Sequence, residues 1–217
     1  MRLSKRLLSL AGLVTKEDII ADIGCDHALL DIYLALNGHP NKIIASDVNQ
    51  NALDSGIKNI KKYHLEDKIE VKLANGIDGI DKNVNTLIIS GMGASTIIKI
   101  LTNKKISQIN KLIIQSNNDY YLLRSYLCAK GFYISYENVI YDKGKYYINI
   151  VFKRGHQKYN FKELSYGPIL IKNGNKDYFE FLYNKNNNIL ENIPFYKVFE
   201  RYNLIKSNML LKKLKRK

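Results

Sequence analysis

The chain has 217 residues, 46% of them hydrophobic, and its 34 Lys and Arg outnumber 20 Asp and Glu for a formal charge of +14. That apolar fraction buries a full core for one domain of average size with a short appendage, while Cys25 and Cys128 lack the pairing of a zinc site or a disulfide framework. Both are expected as buried thiols in a reducing compartment. The positive excess points to a polyanionic partner, discounted because a chain rich in Lys, Asn, Ile and Tyr places lysine everywhere.

Met1 to Val14 joins a basic head to an apolar run. The run is broken by Ser9 and Gly12, and Leu3, Leu7 and Leu10 share one helical face, so an amphipathic helix is expected rather than a secretory signal. No stretch is long enough to span a bilayer, and the chain is expected to be cytoplasmic and monomeric, with neither membrane nor metal. From Asp18 onward, β-rich apolar runs alternate with helical patterns, which predicts βαβ units and a mostly parallel sheet. The predicted strands are Ile19 to Ile23, Lys42 to Asp47, Ile69 to Leu73, Val84 to Ser90 and Lys111 to Gln115. The predicted helices are His27 to Asn37, Asn49 to Tyr63, Ala94 to Thr102 and Asp119 to Lys130, long enough to cover both faces as crossovers.

After Gly131 the pattern changes. Phe132 to Tyr141 and Tyr146 to Lys153 flank Asp142-Lys143-Gly144-Lys145, a hairpin turn, so the expected fold is α/β, a Rossmann-like and mostly parallel sheet with an antiparallel strand at the end. Beyond Gly155 the strand pattern is lost, and Tyr166-Gly167-Pro168 marks a break. Tyr178, Phe181, Leu182 and Ile189, then Val198, Phe199, Tyr202, Ile205, Met209 and Leu210, recur at helical spacing on either side of Pro194. This predicts a C-terminal helical hairpin with packing aromatics and a basic tail, Lys212 to Lys217, and domains at 1–157 and 158–217.

Ligands of an open α/β sheet bind at the carboxyl ends of its strands, which directs attention to Gly24-Cys25-Asp26-His27. A dinucleotide site needs glycines there, so that backbone N–H groups reach a pyrophosphate. Asp26 would stand beside those phosphates, and like charges near contact repel by about 1 kcal/mol in water and several times more when partly desolvated. S-adenosylmethionine carries a sulfonium, an ammonium and a carboxylate but no phosphate, and it suits these acids. Asp22 and Asp26 would face the ammonium, with Gly24 letting the backbone approach the methionine portion. Asp47, ending the second strand, would accept the ribose hydroxyls, and Asn75 and Gly76, after the third, would read the adenine edge. Taken singly, each residue has a structural alternative of equal standing: Asp22 as a cap of the next helix, Asp47 as the cap of the Asn49 helix, His27 as a core histidine. Their recurrence at successive strand ends favours the site.

The segments Ala21-Asp22-Ile23-Gly24-Cys25-Asp26-His27-Ala28, Ile44-Ala45-Ser46-Asp47, Ala74-Asn75-Gly76 and Ile89-Ser90-Gly91-Met92-Gly93 resemble the bacterial tRNA (adenine(22)-N1)-methyltransferase family. The resemblance extends through Gln115-Ser116-Asn117, Arg124, Glu137 and Tyr147 and, by architecture, to the region beyond Tyr166. It departs at Ser116, where family members often have proline, and at Ala94, which replaces a second glycine. What it implies is a class I methyltransferase sheet that holds S-adenosylmethionine through Asp22, Gly24, Cys25, Asp26, His27, Asp47, Val48, Asn75, Gly76, Gly91 and Met92. The implied reaction is methyl transfer to N1 of an adenine in tRNA.

That nitrogen offers an in-plane lone pair, so attack on the sulfonium methyl needs neither prior deprotonation nor a covalent nucleophile, and alignment supplies much of the rate. Gly91 and Gly93 are expected to leave room for the base, with Met92 packed on it or on the cofactor. The product adenine is cationic or sheds an amino proton, so Asp26 is the first choice for a charge-stabilising acid, with His27 orienting it or shuttling a proton. Asn117 is expected on the adenine edge and Tyr147 stacked on the ring. Arg2, Lys5, Arg6 and Arg124 are expected at RNA phosphates, with the hairpin gripping the folded tRNA in a strongly salt-dependent way. Two other readings fit the same residues: a methyltransferase acting on another RNA or a small molecule, and a non-catalytic RNA-binding protein on a nucleotide fold.

Overall fold

Five apolar runs of the first half become parallel strands: β1 (Ile20–Ile23), β2 (Ile43–Asp47), β3 (Ile69–Leu73), β4 (Thr86–Met92) and β5 (Lys111–Ser116). β1 and β5 are buried along their whole length, which is why they read as mostly apolar runs rather than as alternation, with buried polar exceptions such as Asp22 and Gln115. In the computed structural model, which describes residues 1–216, β6 (Phe132–Asp142) and β7 (Lys145–Arg154) complete a seven-stranded sheet in the order β3-β2-β1-β4-β5-β7-β6. β7 runs antiparallel to both β5 and β6, and its turn with β6 places Lys143 and Gly144 at φ +48° and +79°, the two-residue geometry that matches strand twist. The chain winds outward from β1 to β3 and returns to β4 on the other side of β1. The switch point therefore lies between β1 and β4, where a crevice opens at the strand ends.

The helices between strands are α1 (Lys5–Ala11), α2 (Leu29–Leu36), α3 (Gln50–Lys62), α4 (Ala94–Ile100) and α5 (Tyr120–Ala129). Ser4 caps α1 by accepting the Leu7 N–H at 3.2 Å, and Leu10 of that helix is fully buried with Leu30, Leu34, Ile88 and Ile113, as an amphipathic segment requires. α2 packs on two sides, with Leu30 and Leu34 in that cluster and Ala28 and Ile32 in a second one containing Leu53, Ile60 and Ile69. Each such aliphatic side chain contributes about 1.5–3 kcal/mol on leaving water. β4 begins and ends two residues later than its apolar run suggests, because the strand continues past a register shift between Ser90 and Met92. Cys25 is buried as expected. Cys128, on α5, is only half-buried, which corrects the expectation for that thiol.

The chain divides into two compact units, Met1–Lys158 and Tyr159–Lys217. The second unit holds α6 (Phe161–Tyr166), α7 (Pro168–Lys172), α8 (Lys176–Asn192) and α9 (Val198–Leu214); Lys217, the end of the basic tail, lies outside the described residues. α6 opens on a capping box, in which the Glu163 N–H donates to the Asn160 side chain at 3.0 Å and the Asn160 N–H to the Glu163 carboxylate at 2.8 Å. α8 and α9 form the expected hairpin, and its aromatics divide: Tyr178 on α8 packs in the core as expected, while Phe181 and the rings of α9 do not. Phe199 is 74% exposed and Tyr202 59%, because polar side chains join the middle of the hairpin. Asn186 donates to Ser207 and Asn208 at 2.9 and 3.0 Å, Asn208 to Asn187 at 2.6 Å, and the Arg201 guanidinium to the Leu190 and Ile193 carbonyls at 2.9 and 3.0 Å. Among the described residues no helix is long and apolar enough to cross a membrane.

Candidate functional site

β1 hands over to Gly24 at φ +79°, and the turn continues through Asp26 and Ala28 at φ +49° and +54°, left-handed backbone that side chains disfavour. Hydrogen bonds from the neighbouring strand hold it. The Gly24 and Cys25 N–H groups both donate to the Ser46 carbonyl, at 2.7 and 3.1 Å. The Asp47 carboxylate accepts the Asp26 N–H at 3.3 Å and the Asn49 N–H at 2.9 Å. Asp47 thus clamps the turn to the end of β2, and α3 is capped by Asn49 itself, through the Asn51 N–H at 2.9 Å. Asp22 caps no helix either, since α2 starts at Leu29 with Ala28 as its N-cap and no side-chain cap.

Two cavities meet over this turn. The first, about 430 Å³, lies between Gly24, Asp47, Val48, Ala74, Asn75 and Gly76 on the strand ends and Thr96, Lys99 and Ile100 on α4. The second, about 420 Å³, is walled by Arg6, Asp22, Cys25, Asp26, His27, Ser90 and Gly91. Gly24, Asp47 and Met92 border both. The Met92 methyl lies where a Cβ on Gly24 would stand, and although that flexible side chain could move aside, the φ of +79° favours glycine here.

Asp22 is 5% exposed and borders the second cavity, and while its backbone pairs in the sheet, its carboxylate accepts no hydrogen bond from any described residue. Burial, and then the Asp47 charge, raise its carboxyl to about 7 against the opposing pull of the Arg6 cation. Asp26 and His27 stand at the mouth, their side chains 68% and 54% exposed and 3.7 Å apart, so His27 is not a core histidine. Burial pushes the Cys25 thiol far above its usual value, with Asp31, Asp22 and Asp47 adding to it, which removes it as a nucleophile.

The Arg6 wall of the second cavity is set by a closed circuit of hydrogen bonds. The Arg6 guanidinium donates to Gln115 at 2.9 Å, Gln115 to Asn149, Asn149 to the Ser9 hydroxyl at 2.8 Å, and Ser9 back to the Arg6 carbonyl at 2.7 Å. Gln115 and Asn149 are both fully buried. The circuit presents the guanidinium to the second cavity with the Tyr147 ring 5.7 Å away. Asn117 borders neither cavity; its amide donates to the Gly91 carbonyl at 2.6 Å and its N–H to the Met92 carbonyl at 2.8 Å, fixing the end of β4. Arg2 and Lys5 are exposed beside and on α1.

Arg124 is not at a phosphate-binding surface. It is 0% exposed, paired with Glu137 at 2.8 Å and 5.5 Å from the Tyr120 ring, so it anchors α5 to β6 and does not reach solvent. Sequence reasoning missed Gln115 and Asn149 as supports of the wall, Asn118 holding the Ala94 N–H at 2.9 Å, and Lys99 and Asp31. A signal existed for the first two, a single amide inside each of the runs Leu112-Ile113-Ile114-Gln115 and Ile148-Asn149-Ile150. No group of His, Cys, Asp or Glu able to hold a metal occurs among the described residues.

Residues 3–150 match the methyltransferase-domain family. The tRNA (adenine(22)-N(1))-methyltransferase of Bacillus subtilis strain 168 is 29% identical over 184 residues, spanning 81% of this chain and 77% of its own. TrmK of M. capricolum, solved with the cofactor product S-adenosyl-homocysteine, is similar at 31% identity with a TM-score of 0.87, over 98% of this chain and 97% of that one. A protein of the NADB-Rossmann superfamily from Streptococcus agalactiae is similar at 35% identity with a TM-score of 0.93, over 99% and 98%. The likeness runs through the helical second unit as well as the sheet, and the chain belongs to the tRNA (adenine(22)-N1)-methyltransferase family of class I S-adenosylmethionine-dependent methyltransferases.

Proposed function

We infer that this chain transfers a methyl group from S-adenosylmethionine to N1 of adenine 22 in tRNA. One observation carries the cofactor reading: a buried carboxyl, Asp22, lacks a hydrogen-bond donor from the protein and faces a cavity that joins a second one over Gly24. An unmatched buried acid is costly unless a ligand cation completes it. An ammonium does so, a pyrophosphate does the reverse, and the residues present therefore fit the sulfonium donor.

When bound, S-adenosylmethionine supplies a methyl group activated by its positive sulfur. The protein's part is to hold, align and exclude water. Asp22 gives up its proton and pairs with the ammonium, with Asp26 contributing a second carboxylate at the mouth. Each oxygen of Asp47 spends one lone pair on a backbone N–H and keeps another for a ribose hydroxyl. Val48 and Ile100 offer apolar surface to the adenine, and Asn75 and Gly76 its polar edge. Cys25 and His27 close the wall of the methionine end. Gly91 sits at φ +79° with only the Arg6 guanidinium, at 4.0 Å, near the position of a Cβ, so the target base has room there. Tyr147 offers a ring face and Arg6 a cation for the phosphate of the extruded nucleotide, while Asn117 acts on the base only through the Gly91 carbonyl that it holds. The adenine gains positive charge as N1 is alkylated, and the Asp26 carboxylate, oriented by His27, stabilises it. The catalytic part is assigned to residues 1–158 and RNA grip to 159–217.

Incubation with unmodified tRNA and methyl-labelled S-adenosylmethionine is expected to yield labelled 1-methyladenosine on nucleoside mass spectrometry, and a transcript carrying guanine at position 22 none. Label in ribosomal RNA with tRNA untouched overturns the assignment.

A further inference from the structure

The middle of the C-terminal hairpin is joined by polar side chains, while its outside carries exposed aromatic rings. Arg201, Asn208 and Ser207 of α9 are occupied with α8 and with the carbonyls at its end. On the outward side, Phe199, Tyr202, Lys206, Met209 and Lys213 succeed one another at intervals of three, four, three and four residues, and all five are exposed. That spacing lines them up on one face over about 21 Å of helix. Phe195 and Tyr196, in the turn just before α9, are 86% and 70% exposed and extend the same ring-rich end. Rings left this open forfeit burial that a folded chain normally takes, which marks a surface covered by a partner.

The chemistry of the face selects that partner. Lys206 lies in the middle of the line and neither it nor Lys213 pairs with a carboxylate among the described residues. Unpaired lysine is depleted from the cores of protein interfaces. A second copy of the chain is disfavoured by charge, since residues 159–217 carry 12 Lys and Arg against 5 Asp and Glu, and two such faces repel. Flat rings alternating with ammonium groups match bases alternating with phosphates. We propose that the outward face of α9, Phe199 and Tyr202 with Lys206 and Lys213, is a stacking platform for unpaired bases of the RNA substrate. The proposal rests on the tRNA reading above and adds the mode of contact, with the rings stacking on bases and the lysines neutralising phosphates.

The test uses the full chain, unmodified tRNA and fluorescence anisotropy across a salt series. Phe199→Ala with Tyr202→Ala is expected to weaken tRNA binding about tenfold or more with the salt slope unchanged, since no charge is lost. Lys206→Gln with Lys213→Gln is expected to reduce the slope of log affinity against log salt by about one to two. Phe199→Trp with Tyr202→Phe, which keeps both rings, is expected to restore binding. S-adenosylmethionine affinity, measured by calorimetry, is expected to be the same in all four proteins. Unchanged tRNA affinity in the alanine variant overturns the proposal. So does light scattering that finds a wild-type dimer, dissociated by the alanine pair without loss of tRNA affinity. If wild-type protein binds tRNA yet never methylates it, the enzymatic reading falls while the platform is still decided by the same binding series.

Discussion

At the scale of single residues, three carboxylates with the same side chain behave differently because burial differs. Asp26 is wet, Asp22 is enclosed but faces a cavity, and Asp31 on α2 is fully buried with no hydrogen-bond partner for either oxygen. With its carboxyl raised to about 7, Asp22 is neutral below that pH and must ionise to meet an ammonium. S-adenosylmethionine affinity is therefore expected to fall by up to about tenfold per pH unit below 7 and to level off above it. Asp22→Asn should bind more weakly with a flattened profile; calorimetry between pH 5.5 and 8 that shows a flat wild-type curve removes Asp22 from this role. Burial, and then Asp22, hold the Asp31 carboxyl well above its usual range. The unfolded chain then loses this proton near pH 4 while the folded chain keeps it, so the folded state binds more protons and stability falls as pH rises above that point until the folded carboxyl itself ionises. Asp31→Asn is expected to raise the melting temperature, and more at pH 8 than at pH 5. An equal shift at both values contradicts a neutral Asp31. Little of this is legible in the sequence. Asp22 and Asp47 can be read from their strand ends, but Asp31 looks like any polar position on an amphipathic helix, and Arg124 like any surface cation, because burial depends on what packs from elsewhere in the chain.

At the scale of elements, α1 illustrates how a short helix acquires a role. Its leucines are readable as one apolar face, and the strands β1, β2, β3 and β5 fall within one residue of their predicted runs, the buried β1, β2 and β5 by apolar composition and the half-buried edge strand β3 by alternation. What the pattern does not carry is the circuit that turns Arg6 inward, because Ser9, Gln115 and Asn149 are far apart along the chain and meet only once β7 has been inserted beside β5. α6 escapes a periodicity reading although Asn160 and Glu163 spell a capping box, because six residues are too few for a periodic signal. The circuit makes a definite prediction. Asn149→Ala leaves the buried Gln115 amide N–H group without its acceptor and is expected to cost about 1–3 kcal/mol of stability by denaturant unfolding. With the guanidinium no longer fixed, tRNA methylation should fall by about tenfold in kcat/KM while S-adenosylmethionine affinity holds. A loss confined to stability, with kcat/KM unchanged in the folded fraction, shows that Arg6 needs no such support.

At the scale of the whole molecule, the question raised by +14 is whether the charge is placed or merely abundant. Residues 1–158 carry 22 Lys and Arg against 15 Asp and Glu, and residues 159–217 carry 12 against 5, so the excess is equal although the second stretch is little more than a third as long. A uniform lysine load would divide in proportion to length, and this one does not. The excess is therefore densest where α8 and α9 present their surfaces, as binding to a phosphate backbone by counterion release requires. If about five phosphates are neutralised, tRNA affinity is expected to drop by roughly 10²- to 10³-fold between 50 and 200 mM salt. Residues 1–158 alone contain both cavities and the two apolar clusters around α2, and are expected to retain S-adenosylmethionine binding while losing most of that salt-dependent affinity. Filter binding of both proteins across the salt series decides it: a truncated chain with the affinity and slope of the full one would mean that the basic hairpin contributes no phosphate contact, and that its lysines follow composition alone.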